Sequence, residues 1–290
     1  MADFDFIPEL WSKQIHETLK KEMPEENFCN TKFQGEINNA GDRVHVFTPG
    51  AVTIVNYTTN SGYAGSLEVP QPTSEYMDIT TAKGFRFYVD AMDKVQGALD
   101  PEGPYLKEAA YGIMDTISQA IAAQHANVYA DNVVYPAAAV TAATIWDLLN
   151  EAHYKLDQQK APKQGRWFQA SNYIYKLIRE SIGDRATALG DSAIIGGPVA
   201  KFCDFDIYTS ANTVATTNAG TSGGTGIKAV QRCMFGVKEG ISLAYSIPPT
   251  SLHYYNPEAA NGIAVKGLVV YGIKMWRSGV LNGVLNAWYS

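Results

Sequence analysis

The clearest periodic stretch of the chain runs from Pro104 to Asp131. Leu106, Ala109, Ala110, Ile113, Ile117, Ala120, Ile121 and Val128 recur there at intervals of three and four, with one longer gap before Val128. That is the period of one face of an α-helix. Pro104, behind Gly103, stands at the start, where its missing N–H costs nothing. The pattern predicts a helix over 104–131, a rod of roughly 40 Å at about 1.5 Å per residue. An average helix has only about 11–12 residues, so this one suits the backbone of a flat, extended subunit. Ile113, Ile117 and Ile121 are its candidate core residues.

Upstream of the rod the period changes to two. Arg43–Phe47 and Val52–Tyr57 read as β pieces interrupted by Pro49-Gly50, with apolar residues on both alternating faces. From Thr58 to Ser74 the chain is rich in Thr, Ser, Gly and Pro. Then Phe85, Phe87 and Val89 alternate with Arg86, Tyr88 and Asp90. The whole of 40–90 is expected to form a long two-stranded hairpin with an extended tip. An isolated ribbon is marginal in water, so its packing is expected to finish on a neighbour. Before it, Leu10, Gln14, Ile15 and Leu19 predict a short helix ending near Pro24, in a segment (1–33) with too few apolar residues for its own core. It reads as an arm, or as a helix packed on its own domain.

Downstream of the rod, Ile145, Leu148, Leu149, Ala152 and Leu156 mark one helix face, with Thr144 and Asp147 resembling a capping box. Trp167-Phe168-Gln169 predicts a short strand, and Ser171 caps a helix that runs to Gly183. Cys203–Ile207 alternates like a strand, and 209–226 reads as a flexible loop. Ile241, Leu243, Tyr245 and Ile247 define a strand that stops at Pro248. Ile263, Val265, Val269, Tyr271, Ile273 and Met275 line one face of an unusually long one. Arm, hairpin, rod, mixed αβ region and strands make an α+β order rather than a βαβ alternation.

Composition sharpens this picture. Hydrophobic residues are 46% of the 290, which excludes a disordered chain, while charged residues are only 18%. That low charge with 17 Tyr fits a surface partly covered by partners, though composition alone favours a tight single core. A net charge of −6 argues against dedicated nucleic-acid binding, though a protein can enclose nucleic acid without gripping it. Cys29, Cys203 and Cys233 have no metal-ligand spacing and are expected to be reduced thiols. The first residues lack the basic and apolar regions of a signal peptide. No apolar run approaches the ~18 residues of a membrane span.

Candidate chemistry is sparse. The histidines at 16, 45, 125, 153 and 253 are scattered outside metal spacing. Gly220–Lys228 looks like a phosphate-cradling loop but lacks the P-loop spacing and a Ser or Thr after Lys228. Asp204 and Asp206 form a DxD pair that in a nucleotide-sugar enzyme would hold a divalent cation; on a strand the two simply share a face. Asp184 and Asp191 lack calcium-loop spacing, and nothing brings His125 to Asp131. No catalytic residue, cofactor or metal site is assigned.

Four local phrases, in their order, carry a family resemblance. They are Phe6–Ser12 before a short helix, Gly35–Val44 with its G-x-I-x-x-x-G-D-x-V pattern, Phe85–Gln96, and Gly267–Lys274. Together they resemble the major capsid proteins of tailed phages with the HK97-type fold. The resemblance implies an N-arm over 1–33 and an E-loop with adjoining P-domain strands over 34–90. It further implies a P-domain spine helix within 91–139, an A-domain over 140–262, and C-terminal strands over 263–290. Phe6, Trp11, Tyr57, Tyr63 and Leu67 are then candidate contacts between subunits.

The implied function is a non-enzymatic coat protein that self-assembles, as pentamers and hexamers, into an icosahedral head around double-stranded DNA. The DNA would be enclosed without sequence-specific binding. The implied location is the virion, with assembly in the host cytoplasm and no membrane partner. The arm begins within six residues, so a scaffolding protein, like a portal, is expected to be separate. No matched motif identifies a reactive Lys for isopeptide cross-linking. An encapsulin-like nanocompartment shell, which uses the same fold around protein cargo, is the alternative.

Overall fold

The computed structural model describes residues 24–33, 43–48, 52–60, 62–90, 102–183, 201–218, 228–247, 252–255 and 262–289. Helix α1 (Glu25–Phe28) leads to strands β1 (Arg43–Thr48), β2 (Tyr57–Thr58), β3 (Gly62–Tyr63), β4 (Thr73–Asp78) and β5 (Thr81–Asp90). Then come helix α2 (Glu102–Ala122), β6 (Val133–Val134), α3 (Ile145–Gln158), β7 (Arg166–Ser171) and α4 (Asn172–Gly183). Next are β8 (Lys201–Phe202), β9 (Phe205–Ser210), β10 (Val214–Asn218), β11 (Lys228–Val237), β12 (Ile241–Ile247) and β13 (Leu252–Tyr255). Strand β14 (Gly262–Met275), a helical turn α5 (Ser278–Leu281) and β15 (Asn282–Tyr289) complete the chain. The architecture is mixed α+β, as the element order predicts.

Two sheets organise it. In the first, β14 pairs along one edge with all of β5, Gly262 opposite Asp90 through Tyr271 opposite Thr81. Its other edge takes β12 and then β13. The second sheet has seven strands in the order β6-β15-β11-β7-β9-β8, with β10 also on β11. Its strands β7, β11 and β15 carry buried apolar residues on both faces because both faces are covered there. Phe168, Ala170, Cys233, Phe235 and Leu285 join α3 and α4 in one core cluster. Their neighbours Trp167, Met234 and Val284 face the other way, with Phe28 and the apolar stripe of α2.

Helix α2 is shorter than its periodicity suggests. It has 21 residues, about 30 Å at the helical rise. A tighter 3₁₀ turn, Ala123–Asn127, follows, and Val128 is already extended. The reason is local: Ala122–Asn127 supplies no large apolar side chain to continue the stripe, and the His125 ring takes up the Ala122 carbonyl. Ile113, Ile117 and Ile121 are buried, the last two completely.

Several local expectations need correction. Residues 52–56 form no strand, and β1 pairs with β4, not with 85–90. The alternating 85–90 segment belongs to β5 and pairs with β14, where its Phe85 reaches the α2 core. Thr144 makes no capping box: its hydroxyl accepts from the Thr141 N–H instead. Cys203 and Asp204, at φ 48° and 58°, are a two-residue left-handed turn between β8 and β9 rather than the start of a strand. The loop expected over 209–226 holds the end of β9 and the whole of β10. The helix expected before Pro24 lies outside the described residues, as do Asp184 and Asp191 and most of the Gly220–Lys228 stretch.

Residues 24–33 pack on the body of the chain. Phe28 stacks on Trp167 with centroids 4.0 Å apart. The Asn30 N–H donates to the Ile241 carbonyl at 2.7 Å, and its own carbonyl accepts from Leu243 at 3.1 Å. The fully buried Glu25 carboxylate accepts from the Ser210 hydroxyl and from Gln169 Nε2. Ser210 in turn accepts the Asn212 N–H, and the Asn212 amide donates to Asp115 and Ser118 of α2. Arm, sheet and long helix are thus joined by one polar chain.

Replacing Ile117 by Ala is expected to cost about 2–5 kcal/mol, since the methylenes removed leave a cavity in a packed interior. Urea unfolding measures it, and an unchanged midpoint would take this face of α2 out of the core.

Candidate functional site: an exposed loop on a fixed base

Between β1 and β4 the chain carries an unusual run of apolar side chains in solvent. Ile54 is 93% exposed, Tyr57 64%, Tyr63 76% and Leu67 98%. Val52 and Val69 are also exposed, as is Phe47 at the end of β1. Covering a Val, Leu or Ile is worth about 1.5–3 kcal/mol each, so the loop forgoes several such gains in the isolated subunit. Scattered surface apolar residues need no explanation, but a cluster on one loop is a candidate interaction surface.

The loop has little structure of its own. Strands β2 and β3 pair Tyr57 with Tyr63 and Thr58 with Gly62, and the two tyrosine rings meet edge to face at 5.1 Å. Asn60, Gly62 and Gly65 hold positive φ, which Gly and Asn tolerate best. Elsewhere the Thr53 N–H donates to Glu68 at 2.9 Å.

Its base, by contrast, is fixed. Six register pairs join β1 to β4, from Arg43–Asp78 to Thr48–Thr73. At the root, Val44, Met77 and Ile79 are buried with Ala244, Val270 and Trp276. A Cβ on Gly272 would lie 2.6 Å from the Asp78 carbonyl, so only glycine lets the hairpin sit this close to β14. Arg43 pairs with Asp78 and lies 4.1 Å over the Tyr76 ring.

Of the candidate contact residues, Tyr57, Tyr63 and Leu67 are exposed together on this loop, and Phe6 and Trp11 lie outside the described residues. Sequence reasoning passed over Val52, Ile54 and Val69. The signal was present: apolar residues on both alternating faces of 52–57, with no face left for solvent.

The candidate chemical groups do not converge. Asp206 pairs with Lys201 at 3.3 Å, and Asp204 sits in the turn before β9. Both line a cleft of about 860 Å³ with His153, Asp157, Lys163 and Arg166, where positive and negative groups alternate. His125 faces Arg232 rather than Asp131. Among the described residues no group of three His, Cys, Asp or Glu is placed to hold a metal ion. Burial pushes the Cys29 thiol up and the Cys233 thiol up to about 11, so both are inert at neutral pH. No described helix is long and apolar enough to cross a membrane.

A variant with Thr58–Ser66 replaced by an Asn-Gly turn is expected to keep its circular dichroism and melting temperature. Failure to fold would make the tip part of the subunit core.

No protein-family profile matches the chain, and no curated protein does. Solved structures do. A structure from Mycobacterium phage Che8 matches at 21% identity and a TM-score of 0.80, over 98% of this chain and 98% of the other. The capsid of cyanophage P-SCSP1u matches at 14% identity and 0.77, over 99% and 94%. The capsid of Ralstonia phage GP4 matches at 13% identity and 0.67, over 100% and 98%. In fold, end to end, the chain is like the subunits of solved phage capsids.

Proposed function

We propose that this chain is the major coat protein of a tailed phage, an HK97-type subunit that self-assembles into an icosahedral head around double-stranded DNA. The observation that supports it most is the likeness to phage capsid structures over nearly the full length of both chains. The exposed loop agrees with it. A shell subunit needs surface that is poorly satisfied alone and well covered in the lattice.

On this reading 1–33 is the N-arm, 34–90 the E-loop with adjoining P-domain strands, and 91–139 the region of the spine helix. Residues 140–262 form the A-domain, and 263–290 return to the body. Tyr57, Tyr63 and Leu67, with Phe6 and Trp11 of the arm, contact neighbouring subunits in pentamers and hexamers. The role is structural rather than catalytic, in the virion after assembly in the host cytoplasm. A scaffolding protein and a portal are the expected partners.

Electron microscopy of the purified protein is expected to show rings or closed shells, and a monomer that stays dispersed at micromolar concentration would overturn the reading. Particles from infected cells should contain duplex DNA; protein cargo in its place would point to a nanocompartment. The variant with the trimmed tip should fold and fail to assemble. Normal shells from that variant would remove the loop from the contact.

With a net charge of −6, the free subunit releases few counterions from DNA. Weak, sequence-independent binding to duplex DNA is therefore expected in a filter or fluorescence titration. A nanomolar complex that weakens steeply with salt would contradict it.

A further inference from the structure

Two histidines sit in the same unusual setting, each held between a backbone carbonyl and an arginine. His125 follows helix α2, in the 3₁₀ turn. Its Nδ1 is 3.0 Å from the Ala122 carbonyl oxygen, and its Nε2 is 2.6 Å from Arg232 Nη1, on the central strand β11. A carbonyl only accepts and a guanidinium only donates, so Nδ1 must carry the proton and Nε2 must keep its lone pair. His153, on α3, is the mirror case. Its Nε2 donates to the Cys203 carbonyl in the turn between β8 and β9, and its Nδ1 accepts from Arg166 Nη1 at 2.5 Å. Opposite tautomers are required, and in both the ring must be neutral.

We infer that His125 and His153 are two acid-released locks, tying the end of the long helix and helix α3 to the seven-stranded sheet. Adding a proton to either ring turns its arginine acceptor into a second donor. Two cations then face each other in contact, and the joint opens. Burial holds both imidazoles below the ordinary histidine range; the carbonyl bond opposes this, and the guanidinium adds to it. The sign follows from that direction. A depressed folded-state value means stability that is complete above about pH 6.5 and lost as pH falls through the lower value.

The two locks differ in strength. The charged group facing His125 is Arg232, and the rest of its cleft is formed by neutral residues such as Val133, Tyr135 and Asn286. His153 faces Arg166 from β7, Asp157 from its own helix and Asp204 from the β8–β9 turn. Lys163, Lys201 and Asp206 line the same cleft. Asp157 and Asp204 favour the charged ring and soften that lock, while Asp157 also holds the buried Arg166 guanidinium. His125 is therefore the sharper of the two. The inference rests on the subunit alone and stands whether or not the chain builds a shell.

The test is ¹⁵N NMR of the histidine-labelled chain, in solution for subunits and with magic-angle spinning for particles. At pH 7.5 the unprotonated nitrogen is expected at Nε2 of His125 and at Nδ1 of His153. Either ring in the other tautomer, or charged, overturns the assignment. Urea unfolding at pH 7.5 and 5.0 supplies the second readout. His125→Gln and His153→Asn each keep an oxygen to accept from the arginine but cannot take up the proton. The unfolding constant of the unmodified chain should rise on acidification about tenfold more than that of the double variant. His45→Gln, at an exposed position on β1, should behave as the unmodified chain. Equal acid sensitivity in all of them overturns the locks. Should the double variant fail to fold at pH 7.5, the tautomers of the unmodified chain decide.

Discussion

The pairing of β14 with β5 is the constraint on which the rest of the subunit depends. Strand β14 is 14 residues long and is used on both edges and both faces. One edge carries β5 along its whole length, and the other carries β12 and β13. Val269, Tyr271 and Met275 point into the α2 core, while Val270 turns to the root of the β1/β4 hairpin. A slip of one residue in this register would exchange the two faces and empty both clusters at once. Rod and hairpin both take their positions from a single strand.

Much of this was legible in the sequence wherever one periodicity acted alone. The α3 face, the Ser171 cap and the β12 alternation all answer to local rules, and each forms where those rules put it, while the α2 stripe holds only as far as Ala122. What stayed hidden has two physical causes. Strand β11 mixes Gln231 and Arg232 with Cys233, Met234 and Phe235, because both of its faces are covered and no alternation survives. Strand β4, Thr-Ser-Glu-Tyr-Met-Asp, buries only Met77, so too little apolar signal marks it as the partner of β1. Phe85–Asp90 alternates more cleanly, but it serves a different sheet.

The candidate contact loop was legible by position and not by structure. Its Ser, Thr, Gly and Pro content marks an extended tip with Tyr57, Tyr63 and Leu67 as candidate contacts, whereas the exposed side chains extend back to Phe47 and forward to Val69. Local patterning says which residues prefer to be covered. It does not say whether the cover belongs to the same chain, and 52–57 therefore reads as a strand although residues 52–56 form none.

The short link between β4 and β5, Ile79-Thr80, has a mechanical consequence. Ile79 is wholly buried at the root of the hairpin, and two residues later the chain enters β5. A neighbour that tugs on the loop therefore loads β5 almost directly. Pulled along its axis, β5 is resisted by all its rungs to β14 at once, in shear. Pulled sideways, it would be peeled one rung at a time. The anchorage of the loop is therefore strong along the β5 axis and weak across it.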